Sequence, residues 1–100
     1  MRYVRYILPS AYADMDRLER FIEKECAAPL TAARQFELLY KIFNWLGDYA
    51  ELPAVDVNLS IQYGKIVRHV RFGKKMAILY FVEDNTVYIL RIIPQSMILL

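Results

Sequence analysis

The sequence predicts an α+β domain built from an N-terminal strand, an antiparallel helical hairpin and then a three- to four-stranded, mostly antiparallel sheet. Three observations predict it. Residues 65–93 break into three short strand-like runs at Gly73-Lys74-Lys75 and Glu83-Asp84-Asn85, both rich in turn-forming residues. Two segments of the first half repeat apolar residues at three- and four-residue steps, the spacing of one helix face. Ahead of them, Tyr3-Val4-Arg5-Tyr6-Ile7-Leu8 is β-branched and aromatic, and Pro9 closes it. One hundred residues make one domain, 1–100, with material for a single core.

The first helix is expected to open at Ser10 as its N-cap, with Asp14 and Asp16 in its early turns. Met15, Leu18, Ile22 and Cys26 form its apolar stripe, and Asp16, Arg17, Glu19, Arg20, Glu23 and Lys24 its solvated side. Ala27-Ala28-Pro29-Leu30 interrupts the pattern, and Thr31 can cap a second helix. Its stripe is Ala32, Phe36, Leu39, Tyr40, Phe43 and Leu46; Trp45 adds to the aromatics and Gly47 offers a stop. A linker this short implies a hairpin, whose apolar face must cover the sheet. Residues 48–64 carry the weakest pattern: 52–59 read as a loop or as a loop with a short extended piece, and Ile61-Gln62-Tyr63-Gly64 as a lead-in to the sheet.

In the first strand after that loop, Val67, His69 and Arg71 alternate with Arg68, Val70 and Phe72, so cations fall on both faces. The next run, Met76 to Val82, is unbroken apolar, as in a central strand covered on both sides.

Composition narrows the function. The chain is 57% hydrophobic and 24% charged, which suits a compact fold. Its net charge of +2 is unevenly placed: residues 1–60 carry seven Lys/Arg against nine Asp/Glu, and residues 61–100 six against two. The basic half suits an anionic partner. A single cysteine, Cys26, excludes an intramolecular disulfide and a cysteine-type zinc site, and suits a reduced, cytoplasmic setting. His69 is the only histidine, so no metal site and no cofactor are expected. No Gly-rich phosphate loop or nucleophile-elbow serine occurs. No signal peptide is visible, and the longest apolar run falls far short of the roughly 20 residues that span a bilayer. What remains is a basic and phenolic set: Lys65, Arg68, His69, Arg71, Lys74, Lys75, Tyr80, Tyr88 and Arg91. Such groups can bind phosphate, with His69 as proton donor or acceptor.

Two stretches carry a family resemblance. Leu8-Pro9-Ser10-Ala11-Tyr12-Ala13-Asp14-Met15-Asp16-Arg17-Leu18 is similar to the opening strand and first-helix motif of the RelE/ParE superfamily of bacterial type II toxin–antitoxin toxins. The stretch from Val67 to Val82, followed by Val87-Tyr88-Ile89-Leu90-Arg91-Ile92, resembles that superfamily's second and third strands and the strand after them. The resemblance runs over nearly the whole chain. It implies a small cytoplasmic toxin, of the plasmid-stabilisation type, held inactive by a cognate antitoxin, as a homodimer or a heterotetramer with it. The ParE-like branch binds DNA gyrase, and the RelE-like branch cuts mRNA on the ribosome. Carried over by position, Arg68 and Arg71 match basic residues that contact RNA in the nuclease branch. Arg68, His69 and Arg71 are then the candidate catalytic residues, and Lys65, Arg68, Arg71, Lys74, Lys75 and Arg91 the candidate target- or RNA-binding ones. Two departures favour the gyrase-binding branch. Ala77 stands where the nuclease branch has an arginine, and Ile93-Pro94-Gln95-Ser96-Met97 replaces its His-, Arg- or Tyr-bearing end. The apolar Met97-Ile98-Leu99-Leu100 keeps a third reading open, an interaction module without toxicity.

Overall fold

A computed structural model describes residues 2–21 and 29–98. Its elements run β1 (Val4–Ile7), α1 (Pro9–Phe21), α2 (Pro29–Tyr49), α3 (Val57–Tyr63), β2 (Val67–Phe72), β3 (Met76–Glu83) and β4 (Thr86–Pro94), with a 3-10 turn at Gln95–Met97. The sheet order is β1-β4-β3-β2. β2, β3 and β4 form the expected antiparallel meander, and β1 joins it parallel to β4 at the edge.

Both turns follow from local chemistry. Asp84 and Asn85 take positive φ, 49° and 63°, the conformation that a two-residue hairpin loop needs and that Asp and Asn tolerate. Gly73, at φ 59°, opens the other turn, and a Cβ there would sit 2.9 Å from Gln35 Oε1. β3 is central, and Ala77 to Phe81 are buried on both of its faces.

One face of the sheet takes the helical hairpin. Leu18 of α1 and Leu39, Phe43 and Leu46 of α2 pack on Phe72, Ile78, Tyr80, Val87, Ile89 and Ile92. The opposite face carries a smaller core, in which Leu59 of α3 meets Val67, Ala77, Leu79 and Ile93. Among the described residues no helix is long and apolar enough to cross a membrane.

Several expectations change. α1 begins at Pro9, whose fixed φ and missing N–H suit a first helical turn. Ser10 therefore lies inside the helix, and its Oγ donates to Leu90 O at 2.7 Å. α2 begins by Pro29, ahead of Thr31, and runs through Gly47 to Tyr49. Gly47 is a contact point within the helix, its carbonyl accepting Tyr3 N–H at 2.7 Å while the Arg2 guanidinium lies alongside. Tyr40 is 56% exposed although it follows the apolar stripe. Residues 57–63, read from sequence as part of a loop or short extended piece and a lead-in to the sheet, are helical. The Asp56 side chain caps that helix by accepting Leu59 N–H, and Gly64 ends it in the left-handed conformation at φ 68°. Ile22, Cys26 and the hairpin's linker lie outside the described residues.

The first helix is fastened to the sheet by Asp14, which is only 4% exposed. β1 pairs with β4 only as far as Ile7↔Ile89, so the outer edge of β4 is open beyond that point. A bulge between Leu79 and Tyr80 leaves Leu90 without an opposite residue and shifts the alternation, bringing Ile92 onto the hairpin face with Ile89. At the open edge Asp14 Oδ2 accepts Ile92 N–H at 2.9 Å and Arg91 Nε at 2.7 Å, and Oδ1 accepts Arg91 Nη2 at 3.1 Å. These bonds hold the guanidinium pKa above its ordinary value, against the opposing effect of burial.

Replacing Asp14 by Ala strands the part-buried Arg91 charge and orphans Ile92 N–H. The expected loss is about 3 kcal/mol in urea unfolding. A loss under about 1 kcal/mol would show that the edge is held by other contacts.

Candidate functional site

The nine sequence candidates do not converge on one place. Lys65 precedes β2, and its Nζ lies 3.1 Å from Glu83 Oε1 and 5.3 Å from the Phe81 ring centroid. Lys74 and Lys75 sit beyond the other end of β2. Six residues of strand, about 20 Å, separate the two ends.

Within β2 the alternation splits the candidate catalytic set. Arg68 is on the hairpin side, near Tyr3 and Tyr80, and its Nε donates to Pro53 O at 3.1 Å. That bond, with the Val55↔Arg68 bridge, ties the loop after α2 to the edge strand. His69 and Arg71 face the other way. Arg71 is exposed, with no ion-pair partner among the described residues. His69 is half-buried, and its Nδ1 is 3.3 Å from Asp56 Oδ2 without a hydrogen-bonding alignment.

Asp56 is thus shared between the cap of α3 and the histidine. Ser60 adds a reciprocal link: its Oγ donates to Asp56 O at 2.7 Å and accepts Val67 N–H at 2.8 Å. Together with Asp56 N–H to Val67 O at 2.8 Å, these bonds make α3 a strap across β2. Neither Asp56 nor Ser60 was among the sequence candidates. The legible signal was the pair Asp56 and Gly64, a helix-start residue and a helix-stop residue at the right separation.

The phenols are also committed. Tyr80 is fully buried, and its hydroxyl donates to Ala50 O at 2.6 Å. Burial raises its pKa well above the usual tyrosine range, so it holds its proton. Tyr88 stacks on Phe81 at 4.9 Å, and Tyr6, 53% exposed, meets it edge-on at 5.9 Å. Arg91 is drawn into the Asp14 ion pair, so its guanidinium helps hold the edge of β4.

What the structure does bring together lies at the end of the sheet away from Lys65. Between the helical hairpin, the β2–β3 turn and the end of β4 is a groove of about 900 Å³. Lys74 and Lys75 line it with Arg91, and two arginines outside the candidate set, Arg17 and Arg34, join them. Gln95 braces this end, its N–H donating to Lys75 O at 2.7 Å and its Nε2 to Met76 O at 3.1 Å.

No family model and no curated protein matches the sequence. A search of solved structures finds a chain described as the chromosomal ParDE TA system from P. aeruginosa. The match covers 93% of this chain and 96% of that one, with a TM-score of 0.70 and 16% sequence identity. The chain has a ParE-like fold. At that identity the likeness lies in the order and packing of the elements, so roles for single residues rest on the geometry above.

Asp56→Ala removes the α3 cap and leaves His69 facing no carboxylate. It is expected to cost about 1 kcal/mol. Amide exchange should speed up in residues 57–63 and leave the β3–β4 ladder unchanged. Faster exchange across the whole sheet would contradict the strap.

Proposed function

We propose that this chain is the toxin of a type II toxin–antitoxin pair, of the plasmid-stabilisation type, which binds a cellular protein such as DNA gyrase and is neutralised by a cognate antitoxin. The observation that supports it most is the ParE-like fold, matched over 93% of the chain to part of a ParDE system. A cytoplasmic site of action follows from such a target.

The geometry favours binding over chemistry. An RNA-cutting site needs cationic and proton-transfer groups acting as a unit. Here Arg68 is on the opposite face from His69 and Arg71, Tyr80 keeps its proton in the core, and Arg91 is paired with Asp14. The ribosome-dependent ribonuclease reading retains His69 and Arg71, which share a face of β2.

Production of the chain without its antitoxin should arrest growth with an SOS response and intact transcripts. Co-expression of the neighbouring reading frame should restore growth. Transcripts cut at ribosomal A sites, with cutting lost in Arg71→Ala, would replace this reading with the ribonuclease one. Unimpaired growth at high expression would point to an interaction module without toxicity.

A further inference from the structure

We propose that the half of the sheet face left bare by α3 is a self-association surface, on which a second copy of this chain packs sheet to sheet. On that face Leu59 of α3 packs on Val67, Ala77, Leu79 and Ile93. Beyond the helix the register lays out two cross-strand rows. Val4, Thr86 and Glu83 form one, and Tyr6, Tyr88 and Phe81 the other. Tyr3 and Ile7 pack toward the hairpin, so alternation turns Val4 and Tyr6 to this side. Among the described residues nothing covers the rows at β1, where Val4 is 65% and Tyr6 53% exposed. A contiguous aliphatic and aromatic patch of this kind marks a contact surface.

Charge and shape name the occupant. Lys65 is taken by Glu83 at 3.1 Å, and the exposed Asp84 adds a negative charge at the turn. The turn lysines Lys74 and Lys75 lie beyond the other end of β2, about 20 Å away. A nucleic acid would find rings to stack on but no positive field. A second copy needs no charge partner, because apolar rows meet apolar rows and the Lys65–Glu83 pairs stay at the margin. α3 then restricts the geometry. A two-fold axis along the strands would set α3 on α3. An axis across the strands clears both helices, and it lays each Val4 over the other copy's Tyr6 and each Thr86 over the other copy's Tyr88.

The two rows alone fall short of the roughly 800 Å² per partner that a standard interface buries, so the dimer is reversible, with a dissociation constant in the micromolar range. The surface is on the opposite side of the sheet from the helical hairpin, and pairing leaves the hairpin side open. The inference does not depend on the toxin reading, since it rests on the register, the exposure and the local charge.

The test is sedimentation velocity over a concentration series, with amide shifts of the isotope-labelled chain followed over the same series. Dimers should form between micromolar and millimolar concentration, with shifts confined to residues 4–6, 81–88 and the flank of α3. Val4→Glu and Tyr6→Glu, both at exposed positions of the edge strand, should each weaken association at least tenfold. K74E/K75E, at the far end of the sheet, should leave it unchanged. The shift map of the unaltered chain decides the matter even where a variant fails to fold. The proposal is overturned by a chain that stays monomeric at millimolar concentration, by dimers whose shifts map elsewhere, by association unchanged in both folded Glu variants, or by a thymidine oligonucleotide that binds at Tyr6 and Tyr88. A monomer that arrests growth loses this inference and keeps the toxin reading. A dimer that leaves cells unharmed does the reverse.

Discussion

The arrangement of helices and sheet depends on one buried carboxylate. Asp14 stands where β1 ends and β4 continues, and it takes the place of the missing strand by accepting Ile92 N–H. A neutral acceptor could make that bond. A carboxylate makes it and also holds Arg91, whose backbone is opposite Leu79 of the second core and whose guanidinium reaches α1 at the open edge of β4. Tyr63 of α3 also bears on Arg91, raising its pKa with Asp14. The Asp14–Arg91 pair therefore ties α1 to the open edge of the sheet. Burying a charge is costly unless its lone pairs are filled, and Asp14 meets that condition with both oxygens occupied.

The bulge at Leu90 belongs to the same solution. Strict alternation from Val87 and Ile89 would turn Arg91 toward the hairpin core and Ile92 away from it. One extra residue exchanges them. Ile92 enters the core at 2% exposure, and the charged side chain goes to the edge, where Asp14 waits.

The meander, its two turns and the amphipathic helices were legible in the sequence, because each is written in residues a few positions apart. Asp84-Asn85, the apolar run of β3 and the 3–4 spacing of Leu39, Phe43 and Leu46 all meant what they usually mean. The burial of Asp14 was not legible, since its partners are 77 and 78 residues away and its place in the early turns of a helix reads as an acid favoured by the dipole. α3 was missed for a different reason. Its β-branched and aromatic content resembles a strand, and the cap at Asp56 outweighs that preference only because Val67 and Ser60 complete the hydrogen bonding. The candidate site was legible as a list of cations but not as a place. Alternation turns Arg68 away from His69 and Arg71, and only the turn lysines meet other cations: Arg91, Arg17 from the solvated side of α1, and Arg34 of α2, which lay outside the candidate set.

The parallel pairing of β1 with β4 also sets the order in which the molecule can be built. Val4 lies beside Thr86, so β1 leaves the ribosome long before the strand it pairs with. Until β4 is made, α2 has only the β2–β3 hairpin to cover, and Ile92 N–H is not yet available to Asp14. Contacts of such long sequence separation must be closed before they stabilise anything, which slows folding and leaves a sticky nascent chain. The fold is thus locked from its far end, and a chain that stops short of β4 loses β1 and the seat of the hairpin together.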